Sequence, residues 1–304
     1  MRRFAATALL MLSCVLVALS IVAAWLDVGL LDTERYVSAV APVADDAEAS
    51  EAATSLLVRR LTQEVSVTQA ARDLSHAAAG PLPAGALRAA RRLIQATVES
   101  VVASDQYAAV WRAANRASSP MVREALVGNV ATLHAARLDG RVLVDITPAL
   151  LLARARLVRA GMPSYRNVPG DPTPVRVEVA DLTGLHQLRS SVHALSTITW
   201  VLPLAAVACL GCGLFIAERR LRAATMFGGG LTVAFGLILV TLWAARHLLV
   251  DSDIDPDLRP IQAAVFDAVT APLRTALAIG IAVGAMVLVA AGEVARGPHN
   301  APHT

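Results

Sequence analysis

The chain has 304 residues, of which 56% are hydrophobic and only 4% aromatic, and its mean hydropathy is +0.56. The formal net charge is +3, and all 27 basic residues are arginine. A soluble domain of this length is about 45–50% apolar, so the composition indicates a membrane protein with a polar part. It excludes a disordered chain, a collagen-like repeat and a disulfide-rich scaffold.

Charge and cysteine placement exclude two further classes. Between residues 28 and 192 there are 18 arginines against 16 acidic residues, without a basic stripe interleaved with aromatic residues, which excludes a nucleic-acid-binding surface. Cys14, Cys209 and Cys212 all lie in apolar segments, which excludes a disulfide framework. Within an apolar segment, the C-x-x-C spacing of Cys209 and Cys212 favours close helix packing over redox chemistry.

The first apolar segment predicts a membrane-spanning helix. Residues 4–25 would form a helix of about 33 Å, and a bilayer core is about 30 Å thick. A cleaved signal peptide is the alternative, but its apolar stretch is about 7–15 residues and ends in small residues, whereas this one ends in Ala-Trp-Leu-Asp. We therefore expect a retained transmembrane helix over residues 1–27.

Three further apolar segments bring the predicted number of spans to four. Gly228-Gly229-Gly230 in the third span and Gly280-x-x-x-Gly284 in the fourth predict close helix packing. The expected bounds are 28–193 for an extracytoplasmic domain, 194–217 for span two, 218–225 for a cytoplasmic loop, 226–248 for span three, 249–271 for an extracytoplasmic loop with an amphipathic helix, 272–292 for span four and 293–304 for a cytoplasmic tail.

Charged and aromatic residues orient these spans. Arginines at residues 2–3, 219–222 and 296 fall on one side of a four-span arrangement, and the positive-inside rule makes that side cytoplasmic. Trp25, Trp200 and Trp243 fall at the opposite ends, where interfacial aromatic residues are expected. We therefore predict a multi-pass protein of the plasma membrane with both termini in the cytoplasm and the lipid bilayer as a partner.

The polar domain is predicted to be mostly helical with a small β-ribbon. Apolar residues recur at helical spacing through residues 47–65 and 84–117, and Pro120 and Pro148 stand where further helices begin. Alternation in residues 142–146 and 175–180 predicts two short strands that pair. A last helix, capped by Asp181, is expected to run into span two. The predicted fold class is a mainly α membrane protein with four transmembrane helices and this extracytoplasmic domain.

No catalytic or cofactor-binding motif occurs in the sequence, and no charge lies in the middle of a span, which argues against a transporter. His186 and His193 lack a nearby acidic residue and make a poor metal site. The pattern Asp251-Ser-Asp253-Ile-Asp255-Pro-Asp257 resembles the start of a calcium loop, but Pro256 replaces the required glycine. We expect an acidic turn, with weak divalent-cation binding as the alternative.

Four sets of motifs extend from the end of span one to span four. They are Leu31–Val37 with Val40–Asp46, Trp111–Arg116, Arg141–Ile146, and Ala264–Asp267 with Leu273–Leu277. Together they resemble a family of uncharacterised actinobacterial integral membrane proteins. The resemblance implies four spans and an extracytoplasmic domain, and it implies no activity. Relatives often carry a histidine three residues after the Asn-Arg pair; that position is Ser119 here, so a role for the histidine does not carry over.

The candidate residues for structural or partner contacts lie in these motifs. Trp111 is expected to anchor the core, and Asn115 and Arg116 to form hydrogen bonds at a helix end. Asp267 and Arg274 are seven residues apart and are expected to be near enough to pair. The full set is Asp32, Arg35, Tyr36, Trp111, Asn115, Arg116, Phe266, Asp267 and Arg274.

The sequence predicts a non-enzymatic integral membrane protein that presents an extracytoplasmic helical domain to a partner or ligand at the cell envelope. One alternative is a permease-like or mechanotransmitting subunit of an ABC-type envelope complex. Another is a membrane-bound envelope enzyme without a recognisable motif. We expect no cofactor, no bound metal and no nucleic acid. Besides lipid, the expected partner is an envelope protein or a second copy of the chain.

Overall fold

The computed structural model of the chain describes residues 2–75, 82–83, 85–127, 141–166, 168, 176–181, 200–216, 220–250 and 256–295. In chain order the helices are α1 (Arg2–Trp25), α2 (Thr33–Val40), α3 (Ala47–Glu64), α4 (Val67–Ser75), α5 (Ala86–Val102), α6 (Asp105–Val127), α7 (Thr147–Arg159), α8 (Val201–Ile216), α9 (Arg220–Val250) and α10 (Arg259–Ala295). The strands are β1 (Arg141–Asp145) and β2 (Arg176–Asp181). The predicted helix from residue 182 into span two lies outside the described residues.

The chain divides into two compact units. Unit 1 comprises Met1–Asp32, His186–His247 and Thr270–Thr304. Unit 2 comprises Thr33–Leu185 and Leu248–Val269. Unit 1 contains most of the apolar helices, and unit 2 contains the polar, amphipathic ones.

The prediction of four membrane spans is wrong. Three helical segments of the described chain are long and apolar enough to cross a membrane, namely Ala6–Leu30, Ala223–Leu248 and Arg259–Ala291. In place of the predicted span 194–217, the described residues form α8, whose 16 residues fall short of the about 20 that a bilayer core requires. Pro203 lies in the first turn of α8, where proline is tolerated because its missing N–H has no partner there.

The two strands pair antiparallel, with Arg141 opposite Asp181 and Asp145 opposite Arg176. The register is irregular between Val142 and Leu143. Because this two-stranded sheet is short, the fold class remains mainly α. The fold class is therefore corrected from a four-span protein to a mainly α protein with three candidate spans.

Close packing between α9 and α10 confirms the prediction from their glycines. A Cβ atom placed on Gly228 would lie 2.8 Å from the carbonyl oxygen of Gly284, and one on Gly284 would lie 3.0 Å from that of Gly228. Thr232 Oγ1 donates a 2.9 Å hydrogen bond to the Gly228 carbonyl at the same place. The two backbones approach this closely because neither glycine carries a side chain.

Helix α1 packs within unit 1 through small polar groups. Ser13 Oγ donates to the carbonyl oxygen of Ala206 in α8 at 2.9 Å, and Cys14 Sγ donates to that of Phe227 in α9 at 3.4 Å. The apolar core of unit 1 around Cys14 also includes Phe235 and Leu277, which are almost fully buried. Such bonds satisfy hydroxyl and thiol groups that would otherwise be unpaired in an apolar medium.

Unit 2 is built from amphipathic helices that share one core. Asp46 caps α3 because its carboxylate accepts a 2.9 Å hydrogen bond from the Ala49 amide. The expected apolar stripe of α5 is buried from Ala90 to Val101, although Leu87 is 40% exposed. Gly161, with φ of +96°, ends α7 in the left-handed conformation that favours glycine.

Pro120 lies inside α6, and the prediction that it begins a new helix is wrong. A proline there removes the hydrogen bond to the carbonyl oxygen four residues earlier. Helix α6 nevertheless continues to Val127. Asn115 and Arg116 are consequently in the interior of a helix and not at its end.

Candidate functional site: an apolar cavity beside the contact of α2 and α6

Two of the sequence motifs meet where α2 packs on α6. Trp111 Nε1 donates a 2.9 Å hydrogen bond to the carbonyl oxygen of Val40. Asn115 Nδ2 donates to the carbonyl oxygen of Trp111 at 2.9 Å, and Tyr36 Oη donates to Asn115 Oδ1 at 3.4 Å. Tyr36 and Asn115 are 7% and 3% exposed, so this chain of polar groups is buried.

The outer edge of this contact carries two further polar pairs. The hydroxyl groups of Thr33 and Ser119 share a 2.9 Å hydrogen bond. Arg116 donates two hydrogen bonds to the Glu34 carboxylate, at 3.0 Å from Nε and 2.8 Å from Nη2. Both charged side chains are more than half exposed, and the hydrogen bonds to Glu34 raise the pKa of Arg116. This bidentate pair fixes the relative direction of the helices more than it stabilises them.

A cavity of about 90 Å³ lies within unit 2 next to the buried polar chain. Three small residues from three helices face it, Ala53 of α3, Ala114 of α6 and Ala149 of α7. Leucine, isoleucine and valine side chains complete most of the wall. The side chains in the lining that carry polar atoms are Tyr36, Tyr107, Trp111, Asn115, Ser118 and Asp145.

The start of α10 also contributes to this cavity. Leu258, Ile261 and Val265 line it, and all three belong to unit 2. Leu258 follows Asp257, which forms an ion pair with Arg59 of α3. That ion pair engages one of the four aspartates considered as a cation site; the other three lie outside the described residues. No group of three His, Cys, Asp or Glu side chains that could hold a metal ion occurs in the part of the chain that the structure describes.

The two tyrosines of the cavity are neutral at physiological pH. Burial raises the pKa values of Tyr36 and Tyr107 to about 12, so both phenols keep their protons. Asp145 Oδ1 accepts a 2.9 Å hydrogen bond from the amide of Thr147 at the start of α7. The lining therefore offers a predominantly apolar surface with a few hydrogen-bonding groups, which is the usual composition of a small-molecule site.

The nine candidate residues are not all at this site. Tyr36, Trp111 and Asn115 line the cavity, and Arg116 holds its outer edge. Arg35 is exposed on α2, and Asp32 is exposed at the end of unit 1. Phe266 and Asp267 are half-buried on α10 without lining the cavity, and Arg274 belongs to unit 1.

Several lining residues escaped the sequence analysis. Tyr107, Val110, Ala114 and Ser118 lie at spacings of three and four residues around Trp111. This helical periodicity marks one face of α6 and could have identified them. Asp145 and the residues from α10 gave no such signal, because they come from distant parts of the chain.

A second polar cluster lies elsewhere in unit 2. Arg154 of α7 donates to Glu64 of α3 from Nε at 2.8 Å and from Nη2 at 2.5 Å, with both side chains less than one fifth exposed. The Asp73 carboxylate accepts hydrogen bonds from the amide and the hydroxyl of Ser164, at 3.0 and 2.9 Å. Both interactions join separate helices or turns, so this cluster is interpreted as structural.

Comparisons with protein-family models, with curated proteins and with solved structures find no match for this chain. The resemblance to the actinobacterial membrane proteins therefore stays a prediction.

Proposed function

We propose that the chain is a non-enzymatic multi-pass protein of the plasma membrane that binds an apolar ligand in an extracytoplasmic helical unit. The cavity in unit 2 carries this proposal. It lies beside two of the motifs that distinguish the sequence, and its walls are mostly aliphatic. The ligand would be held by burial of apolar surface and oriented by the few polar groups, as in most small-molecule sites.

The size of the cavity supports a binding role. An unfilled cavity destabilises a protein by about 24 cal/mol per Å³, so about 90 Å³ corresponds to about 2 kcal/mol. Larger side chains at Ala53, Ala114 or Ala149 would fill the space. A ligand that occupies it recovers this energy and gains contacts with the wall.

The side of the membrane follows from charge and connectivity. The chain enters unit 2 after Asp32, downstream of the C-terminal end of α1; α9 ends in unit 2, and α10 begins in it. The arginines at residues 2–3, 219–222 and 296 lie toward the other ends of these helices. The positive-inside rule places those ends in the cytoplasm, which places unit 2 outside.

Cysteine labelling in intact cells tests this orientation. The three native cysteines are replaced by serine, and single cysteines are introduced as Ala103→Cys in unit 2 and Arg222→Cys in α9. Ala103 is exposed in the turn between α5 and α6. We expect a membrane-impermeant maleimide to label Ala103→Cys in intact cells and Arg222→Cys only after permeabilisation. The opposite pattern would reverse the proposed orientation.

Fluorescence quenching tests the binding function. A variant with Trp25, Trp200 and Trp243 changed to phenylalanine keeps only Trp111, which lines the cavity. In lipid nanodiscs, bromohexane should quench its fluorescence to a saturating level. Adding Ala114→Phe, which fills the cavity, should abolish the quenching.

Ala113→Phe is the matched control for that test. Ala113 is the exposed neighbour of Ala114 on the same helix, so a phenylalanine there leaves the cavity open. We expect saturable quenching to persist in this variant. Quenching that is linear in bromohexane and unchanged by either substitution would contradict ligand binding.

A mechanotransmitting subunit is a second candidate, because α10 is one uninterrupted helix of 37 residues. Its start lines the cavity through Ile261 and Val265, and Leu273 and Leu277 lie further along it in the apolar core of unit 1. Cross-linking in native membranes, followed by mass spectrometry, tests this candidate. Recovery of an ATPase would favour it over a free-standing binding protein.

A further inference from the structure

We infer that the ligand of the cavity is a neutral aliphatic molecule with a hydroxyl group, and that a fatty carboxylate of the same length is rejected. This inference rests on the proposed binding function and specifies its ligand class. It follows from three properties of the lining: its shape, its hydrogen-bonding groups and its charge.

The volume and lining favour a short aliphatic chain. Ala53, Ala114 and Ala149 line the space from three different helices, and their small side chains leave it open. At about 90 Å³ the cavity holds a short chain and excludes a fused ring system. Leu56, Ile261 and other aliphatic side chains would contact the methylene groups.

Two polar side chains of the lining, Asn115 and Ser118, can accept a hydrogen bond from a ligand. From the described residues, Asn115 Oδ1 receives one hydrogen bond, from Tyr36 at 3.4 Å, well beyond the usual 2.7–2.8 Å of an O–H···O bond. Ser118 Oγ donates to the carbonyl oxygen of Asn115 at 3.1 Å, so the Ser118 oxygen retains lone pairs that can accept. Both side chains are at least 95% buried, where a hydroxyl group on the ligand would make a stronger hydrogen bond than at the surface.

The charge of the lining opposes an anion. The described lining residues include no arginine or histidine, and their single ionisable carboxyl group is Asp145. A carboxylate transferred from water to such a site loses its hydration without gaining a cation. A hydroxyl group of the same size loses far less, and it can donate to Asn115, Ser118 or Asp145.

The test compares three probes that share one bromoalkyl chain: bromohexanol, bromohexanoate and bromohexane. Each is titrated at neutral pH against the variant in which Trp111 is the sole tryptophan, in nanodiscs. We expect bromohexanol to bind at least about tenfold more tightly than bromohexanoate, because burial without a partner disfavours the carboxylate. Ser118→Ala should narrow the preference for bromohexanol over bromohexane, and Ala117→Ser, on the exposed face of α6, should leave it unchanged.

The remaining outcomes separate this inference from the proposed function. Equal affinities for bromohexanol and bromohexanoate would overturn the ligand class and leave apolar binding intact. An absence of saturable quenching by every probe would overturn both. Nanodiscs made with brominated phospholipid test whether a bilayer lipid occupies the cavity. If those lipids quench Trp111 fluorescence and added hexanol does not reduce the quenching, the occupant is a lipid chain and not a free alcohol. That result would overturn the inference.

Discussion

The indole Nε1 of Trp111 donates a 2.9 Å hydrogen bond to the main-chain carbonyl oxygen of Val40, at the last residue of α2. Val40 also caps the 3-10 helix Ala41–Asp45 that follows α2, and it is fully buried. The indole therefore satisfies an acceptor that water cannot reach, and it ties α2 to the face of α6 that lines the cavity.

Replacing Trp111 by phenylalanine should destabilise unit 2. Phenylalanine keeps an aromatic ring but cannot donate to the Val40 carbonyl, and the loss of one buried hydrogen bond costs about 0.5–1.5 kcal/mol. Thermal unfolding in nanodiscs, followed by far-ultraviolet circular dichroism, should show a lower midpoint. Trp200→Phe is the control, because Trp200 is 84% exposed and should tolerate the change. Equal losses in both variants would refute a specific role for the hydrogen bond.

Alanine substitutions in α9 should have opposite effects at two glycines. Alanine is favoured over glycine within a helix by about 1 kcal/mol, so Gly236→Ala, where a Cβ meets nothing within 4 Å, should not lower the thermal midpoint. Gly228→Ala should lower it, since its Cβ would lie 2.8 Å from the Gly284 carbonyl oxygen. If Gly228→Ala were as stable as Gly236→Ala, the close packing of α9 and α10 would be wrong.

Local patterns predicted the helices of unit 2 and part of the site. Trp111 and Asn115 were identified from their motif, and the close packing of α9 and α10 was identified from Gly228 and Gly284. Each of these signals depends on residues within one or two helical turns, or on the small size of a residue. Such signals persist in the structure because burial and backbone approach are decided locally.

Features that depend on tertiary packing were not predictable. Ala53, Ala114 and Ala149 are ordinary helix-forming residues in the sequence, and the void exists only because three helices bring them together. Pro120 signals a helix start by local rules, yet it lies inside α6.

Neutralising Glu64 should lower the stability of the protein much more than neutralising Glu34. The Glu64 side chain is 19% exposed and pairs with Arg154, which is 15% exposed; Glu64→Gln leaves a largely buried guanidinium without its counter-charge and should cost about 2–3 kcal/mol. The Glu34 side chain is 74% exposed in its pair with Arg116, and Glu34→Gln should leave the unfolding midpoint unchanged because exposed pairs contribute little. Chemical denaturation of both variants measures this difference, and similar losses would contradict it.

Alkaline pH should unfold unit 2 through its tyrosines. The chain has three, and burial raises the pKa of each to about 12, with Glu64 and Asp73 contributing at Tyr165. The unfolded value is about 10, so the stability contribution is complete below pH 10. Between pH 10 and 12 it falls by about 1.4 kcal/mol per pH unit for each tyrosine, because the folded state holds the proton more tightly.

Phenolate absorbance and circular dichroism, recorded in parallel, measure that transition. We expect phenolate to form only together with the loss of helix. In denaturant, the same tyrosines should titrate near pH 10. Phenolate that forms near pH 10 while the helices remain intact would show that the tyrosines are accessible, and would contradict the burial of Tyr36 and Tyr107 at the cavity.

Exchanging the charges of Arg59 and Asp257 should preserve stability, although either single reversal lowers it. The two side chains form an ion pair between α3 and the turn before α10, and they are 37% and 44% exposed. At this exposure a pair contributes about 0.2–1 kcal/mol, and like charges are unfavourable by a similar amount. Arg59→Asp and Asp257→Arg should therefore each lower the unfolding midpoint, whereas the double variant restores most of the loss. Additive losses in the double variant would mean that the charges do not interact, and that Leu258 and Ile261 are held at the cavity by apolar packing alone.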